Sequence, residues 1–177
     1  MLQSVFLWFY CLPIWKAVFF VILATLGFRL VRQKVGGKLW WRACLGAVLI
    51  AWTAVVVYAT VAGREAEEGY QHFFVPFHSY RAVMNGGNPE ILRSNLMNVL
   101  LFYPAGLLAV SLLPEKLPRR SRVVLVLVLF ATVSAGIEFA QYVFELGQAE
   151  IDDVIHNTLG AAIGAMAGSI RLRRKRK

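Results

Sequence analysis

The sequence predicts an all-α, polytopic integral membrane helical bundle of about five transmembrane helices, N-terminus outside and C-terminus cytoplasmic. Three observations carry this. Only 16% of the 177 residues are charged and 58% are hydrophobic, whereas soluble domains carry roughly 25% charged residues. Uncharged runs approach the roughly 20 residues that cross a bilayer. The basic residues fall in alternate connections, and positive loops are retained in the cytoplasm. Such a composition excludes a disordered chain or a secreted soluble one.

The first apolar stretch is interrupted by Pro13 and Lys16, so the span is expected from Pro13 to Leu30. Pro is tolerated in a first helical turn. Lys16 then snorkels to the interface, with Trp8, Tyr10 and Trp15 as an aromatic belt. A cleavable signal is a poor fit, because the charge follows the apolar run instead of preceding it. Ala43 to Ala62 and Ser94 to Pro114 are uncharged throughout, and Val123 to Phe144 contains one charged residue, Glu138. Val154 to Ile170 has only 17 residues, so it recruits its polar flanks or sits in thin bilayer. These spans divide the chain into an N-terminal membrane region, 1–62, with two spans, and a region 63–177 with three spans and a basic tail.

Orientation follows from the connections. Fifteen of the 19 Lys and Arg residues lie in the loop from Arg29 to Arg42, the loop from Lys116 to Arg122 and the tail from Arg171 to Lys177. The intervening segments carry Arg64, Arg81 and Arg93. A basic cluster beside a span is explained by topology and by anionic lipid, so membrane lipids and not nucleic acid are the expected partner. Cys11 and Cys44 lie in separate apolar stretches and form no disulfide framework or paired metal motif.

Ionisable groups within spans cost at least roughly 2.5 kcal/mol at mid-membrane, which makes them pointers to function. Glu138 is the foremost. Ser134, Glu138, Gln141 and Glu145 are spaced by four, three and four, which puts them on one helical stripe. That stripe must face protein or a watery recess. Interhelical hydrogen bonding is the plain alternative to a functional role.

The last span opens with Asp152 and Asp153, four residues before His156 and Asn157. First-turn acids complement the helix dipole, but capping does not account for His156 and Asn157 inside the span. Gly160, Gly164 and Gly168 follow at every fourth position, a ridge for close helix packing. The preceding helix, carrying Glu138, is its expected partner. In the third span Ser94 and Asn98 share a face with Asn95 beside it, and Pro104 with Gly106 should kink the helix or demand a partner. Three spans thus bring polar residues to the same, outer, membrane face. The apolar segment from Phe73 to His78 either anchors in the headgroups or caps this recess.

Four ordered motifs resemble those of the VanZ-like family: Pro76 and Phe77; Asn95, Asn98, Leu101, Phe102, Pro104 and Gly106; Ser134, Glu138 and Gln141; and Asp153, Asn157, Thr158 and Gly160. The resemblance runs from about Phe73 to Ile170. One departure is Gln148 after Gly147, where the family has an Arg, so no ion-pairing role is carried over for it. The resemblance implies a multi-pass protein of the bacterial cell membrane, in a family named for a member linked to teicoplanin resistance. It implies a glycopeptide antibiotic or a lipid-linked wall precursor as partner, without supplying a reaction, a cofactor or an oligomeric state.

As an enzyme, the chain would use Glu138 and Asp153 as catalytic candidates, with Asn95, Asn98, Ser134, Gln141, Asp152, His156 and Asn157 as binding residues. No compact metal motif such as His-Glu-x-x-His and no Gly-x-Ser-x-Gly elbow occurs. The acidic pair Glu67 and Glu68 reads as a solvated turn. The competing classes are a non-enzymatic binder of an envelope component and a scaffold or assembly factor for envelope machinery.

Overall fold

The computed structural model describes residues 13–35, 38–62 and 71–170. Helix α1 spans Ile14–Val35, and α2 spans Leu39–Val57 and continues as a π-helical turn, Tyr58–Ala62. Strand β1, His72–Phe73, leads to the short helix α3, His78–Met84, and then α4, Glu90–Leu112. Helix α5 spans Arg119–Phe144, strand β2 Ala149–Glu150 and α6 Ile151–Ser169. The fold is an all-α bundle, to which the two short strands add one parallel ladder pairing His72 with Ala149 and Phe73 with Glu150.

Among the described residues, α1, α2 with its π turn, α4 and α5 are each long and apolar enough to cross a membrane. Helix α6 is shorter, at 19 residues, and hides its polar groups against α3, α4 and α5. Trp8, Tyr10, Cys11, Glu67, Glu68 and the basic tail lie outside the described residues.

The core gathers on α4. Leu101, Phe102, Ala105 and Val110 meet Val126, Phe130 and Ile137 of α5, Ala161 and Ala165 of α6, and Val56 of α2. Lipid tails are as apolar as these side chains, so close van der Waals fit and interhelical hydrogen bonds hold such a bundle together. Helix α1 docks through Ala17 against Met97 and Leu100, and through Thr25 Oγ1 and Tyr103 OH, 2.9 Å apart. Helix α2 adds Leu45 against Leu107 and Leu108, and Trp52 Nε1 donates to Leu101 O at 3.0 Å.

The glycine ridge packs on α4, not on the helix that carries Glu138. A Cβ on Gly160 would sit 2.2 Å from Val99 O, one on Gly164 2.0 Å from Tyr103 O, and one on Gly168 2.8 Å from Leu107 O. The partners advance in the same direction, so α4 and α6 run parallel, with α5 as the crossover. Gly106 of α4 completes the contact, its Cβ position lying 2.0 Å from Ala161 O. The glycine of α5, Gly136, has nothing within 4 Å of its Cβ position. The close backbone approach of α6 is thus to α4.

All five long helices extend beyond an expected end, α2 by starting at Leu39 and α6 by starting at Ile151. Helix α1 continues past Leu30 to Val35, α4 begins at Glu90 and α5 at Arg119. Asn88 Oδ1 accepts from Glu90 N at 2.9 Å across Pro89, the residue just before α4. Helix α4 runs through Pro104 to Leu112 without interruption.

Candidate functional site at the acidic end

The N-termini of α4 and α6 and the C-termini of α2 and α5 meet at one end of the bundle, here called the acidic end. On α5, Ser134, Glu138 and Gln141 are all buried, as their common stripe requires. Glu145 leaves the stripe: it caps α5 in the left-handed region, φ 55°, and is exposed. A helix that must turn back into α6 ends there, so periodicity stops carrying the side chain inward.

Each buried member of the stripe meets a neighbouring element. Asn157 Nδ2 donates to Ser134 Oγ at 2.9 Å, joining α6 to α5. Glu138 Oε2 accepts from Glu150 N at 2.9 Å, which ties the carboxylate to β2. Gln141 Nε2 donates to Thr60 O at 3.0 Å, in the π-helical turn of α2. On the far side of α6, Asn98 Nδ2 donates to Asp153 Oδ1 at 2.7 Å. The side-chain oxygens Gln141 Oε1, Asn157 Oδ1 and Thr158 Oγ1 are buried with no hydrogen-bond partner among the described residues.

The two adjacent aspartates have different surroundings. Asp152, 1% exposed, accepts from Phe77 N through Oδ1, and from Ser79 N at 2.9 Å and Ser79 Oγ through Oδ2. It is thus the acceptor for the first turn of α3, entered through Phe77 in the left-handed region, φ 61°. Asn95 Nδ2 donates to Ser79 Oγ at 2.9 Å and extends the same network. His156, four residues on, bonds through Nδ1 to the backbone carbonyl of Asp152, not to its carboxylate, and its Nε2 lies 2.8 Å from Tyr80 OH. Asn95, Asp152 and His156 therefore hold α3 over the end of the bundle, and pairing with β2 holds β1 there. The rings of Phe73 and His78 stack at 4.0 Å in that cover.

Outside the buried stripe, Glu150 is half-buried in β2. Its carboxyl is pushed above the usual carboxylate range by burial first and by the Asp152 charge second, with His78 opposing. Among the described residues no group of three His, Cys, Asp or Glu side chains is arranged to hold a metal ion.

A family profile described as VanZ/LLP1 matches residues 45–172, well over half of the chain. The chain belongs to the VanZ/LLP1 family. No curated protein and no solved structure matches the chain. The family match begins within α2 and so takes in the π-helical turn as well as every element that carries the acidic end; α1 lies before it.

Four participants in this VanZ/LLP1 chain are not legible in the sequence: Ser79, Tyr80, Thr60 and the Glu150 amide. Ser79 and Tyr80 follow the Pro76 and Phe77 motif, but nothing in their spacing announces a contact with residues more than 70 positions away. Thr60 and Glu150 take part through backbone atoms, and backbone roles leave no mark on residue type.

Proposed function

We propose that this VanZ/LLP1 membrane protein holds the polar headgroup of a lipid-linked envelope component at its acidic end, which faces the outside of a bacterial cell membrane. The phenotype implied by the family resemblance is reduced susceptibility to teicoplanin-type glycopeptides. The observation that carries the reading is the pair of buried, unpartnered acceptors, Gln141 Oε1 and Asn157 Oδ1, on the seam that also holds Glu138. A buried acceptor left without a donor costs about 1–3 kcal/mol, a cost that a ligand supplying O–H or N–H donors would relieve. Glu138 and Asp153 add carboxyl oxygens to the same end. The fitting headgroup is therefore rich in hydroxyl or amino groups. The outward orientation is supported by the basic residues at the opposite end.

The test is teicoplanin susceptibility in a sensitive bacterial host carrying empty vector, the native chain, Glu138→Gln or Asp153→Asn, with membrane abundance matched by immunoblotting. Protection by the native chain and its loss in both variants is the expected result. Equal protection by the variants would reassign the seam to helix packing, and no protection by the native chain would remove the resistance phenotype from this protein in that host. If protection is seen, lipid extracts from the Glu138→Gln strain separate turnover from binding. A chemically altered envelope lipid that disappears with the variant marks an enzyme.

A further inference from the structure

Helices α2 and α5 approach each other closely at the π-helical turn and stand farther apart below it. The gap leaves a cleft, open along one side, with about 240 Å³ of space. Trp52 and Val57 of α2 line one wall, Phe130, Val133 and Ile137 of α5 the other, and Ala105 of α4 the floor. Trp52 commits its one polar atom to Leu101 O, at 3.0 Å, which leaves an apolar ring for the wall. Phe130 is buried, whereas Val57 is 38% exposed at the rim.

Both helices are long and apolar enough to cross a membrane, so the cleft lies among hydrocarbon. From Phe130 to Ile137 α5 rises about 10 Å, and an apolar space of this kind takes apolar matter and stays dry. Its outer end is different. One turn above Ile137 on the same face of α5, Gln141 Nε2 donates at 3.0 Å to Thr60 O, one turn above Val56 of α2. Gln141 is only 3% exposed, and its Oε1 has no partner among the described residues. A buried, unpaired acceptor thus stands at the head of an apolar cleft, which is the chemical pattern of an amphiphile with one polar end.

We propose that the cleft between α2 and α5 seats one hydrocarbon chain of the lipid whose headgroup lies at the acidic end, with a headgroup O–H or N–H donating to Gln141 Oε1. The inference rests on the headgroup reading given above and adds the place of the chain. A bulk lipid whose head has no donor fills the same space but leaves Gln141 Oε1 unpaired, and that unmet acceptor is what selects between lipids.

The test uses the purified full chain in phosphatidylcholine nanodiscs containing a trace of one of two photoactivatable lipids with the same diazirine-bearing acyl chains. One is a galactosyl diacylglycerol, whose head is rich in O–H donors, and the other a phosphatidylcholine, whose head has none. Cross-linked peptides are mapped by mass spectrometry. The galactolipid is expected to label the segments Trp52–Val57 and Phe130–Ile137 about fivefold more than the phosphatidylcholine probe, the ratio that one hydrogen bond supplies. Val57→Trp, which fills the rim, should remove that excess, while Val48→Trp, at an exposed position of α2 outside the cleft lining, keeps it. Should the rim variant fail to fold, the native chain still decides. A galactolipid excess mapped outside the two segments overturns the cleft alone and leaves the headgroup reading standing. Equal labelling by the two probes overturns both. An undiminished excess in folded Val57→Trp also overturns the cleft.

Discussion

Ser79 donates its backbone N–H, at 2.9 Å, and its hydroxyl to the same oxygen of Asp152, across 73 positions of chain. That contact separates two neighbouring aspartates which a linear reading treats alike. Asp152 holds the cover of the acidic end, whereas Asp153 faces Asn98 of α4.

Asp152→Ala is therefore expected to leave three donors, Phe77 N, Ser79 N and Ser79 Oγ, without their acceptor, at a cost of about 3 kcal/mol. Asp153→Asn keeps an oxygen for Asn98 Nδ2 and should cost no more than about 1 kcal/mol. Denaturant unfolding of the two variants in detergent, followed by circular dichroism, measures both. Equal destabilisation would dissolve the distinction.

The glycine ridge makes an equally sharp prediction. Gly164→Ala puts a methyl 2.0 Å from the backbone oxygen of Tyr103, which only a separation of α4 and α6 can relieve, at about 3 kcal/mol or more. Gly136→Ala meets nothing within 4 Å and should stabilise α5 by up to about 1 kcal/mol through helix propensity. Melting temperatures of the two proteins should move in opposite directions.

The position of Glu150 gives a pH dependence of definite sign. Burial, and then the Asp152 charge, raises its folded pKa above the usual carboxylate value. The folded state then holds the proton more tightly than the unfolded state, and stability contributed by this group falls as pH rises through the interval between the two values. Glu150→Gln removes that penalty. The variant should melt above the native protein at pH 7.5, with the gap narrowing as the pH is lowered toward 5. A gap independent of pH would assign the effect to packing.

Orientation is tested with single cysteines in a background of Cys11→Ser and Cys44→Ser. Met84→Cys, at the strongly exposed end of α3, should react with a membrane-impermeant maleimide added to intact cells. Lys116→Cys, between α4 and α5, should react only after the membrane is opened. The reverse pattern would turn the proposed site toward the cytoplasm and remove its access to envelope components.

What the sequence determined by itself is whatever lipid makes expensive. Apolar runs had to become helices because a backbone in hydrocarbon satisfies its own hydrogen bonds only that way. The Ser134, Glu138 and Gln141 stripe had to be buried, and the four VanZ-like motifs lie in the region that the family match covers. What only the tertiary structure decided is which surfaces meet. The ridge of Gly160, Gly164 and Gly168 states that something approaches closely but not whether α4 or α5 does, because that depends on the handedness and crossing of parallel helices joined through a third. Asp152 could be read as a helix-dipole acid from its place in a first turn, yet its partners are a backbone amide and a serine far away in the chain. Arg29 and Arg119 read as topology signals, while folding gives them the last carbonyls of α6. Local spacing fixes which side of a helix a residue occupies; long-range pairing, which closes large loops at an entropic cost that no short motif records, chooses the partner.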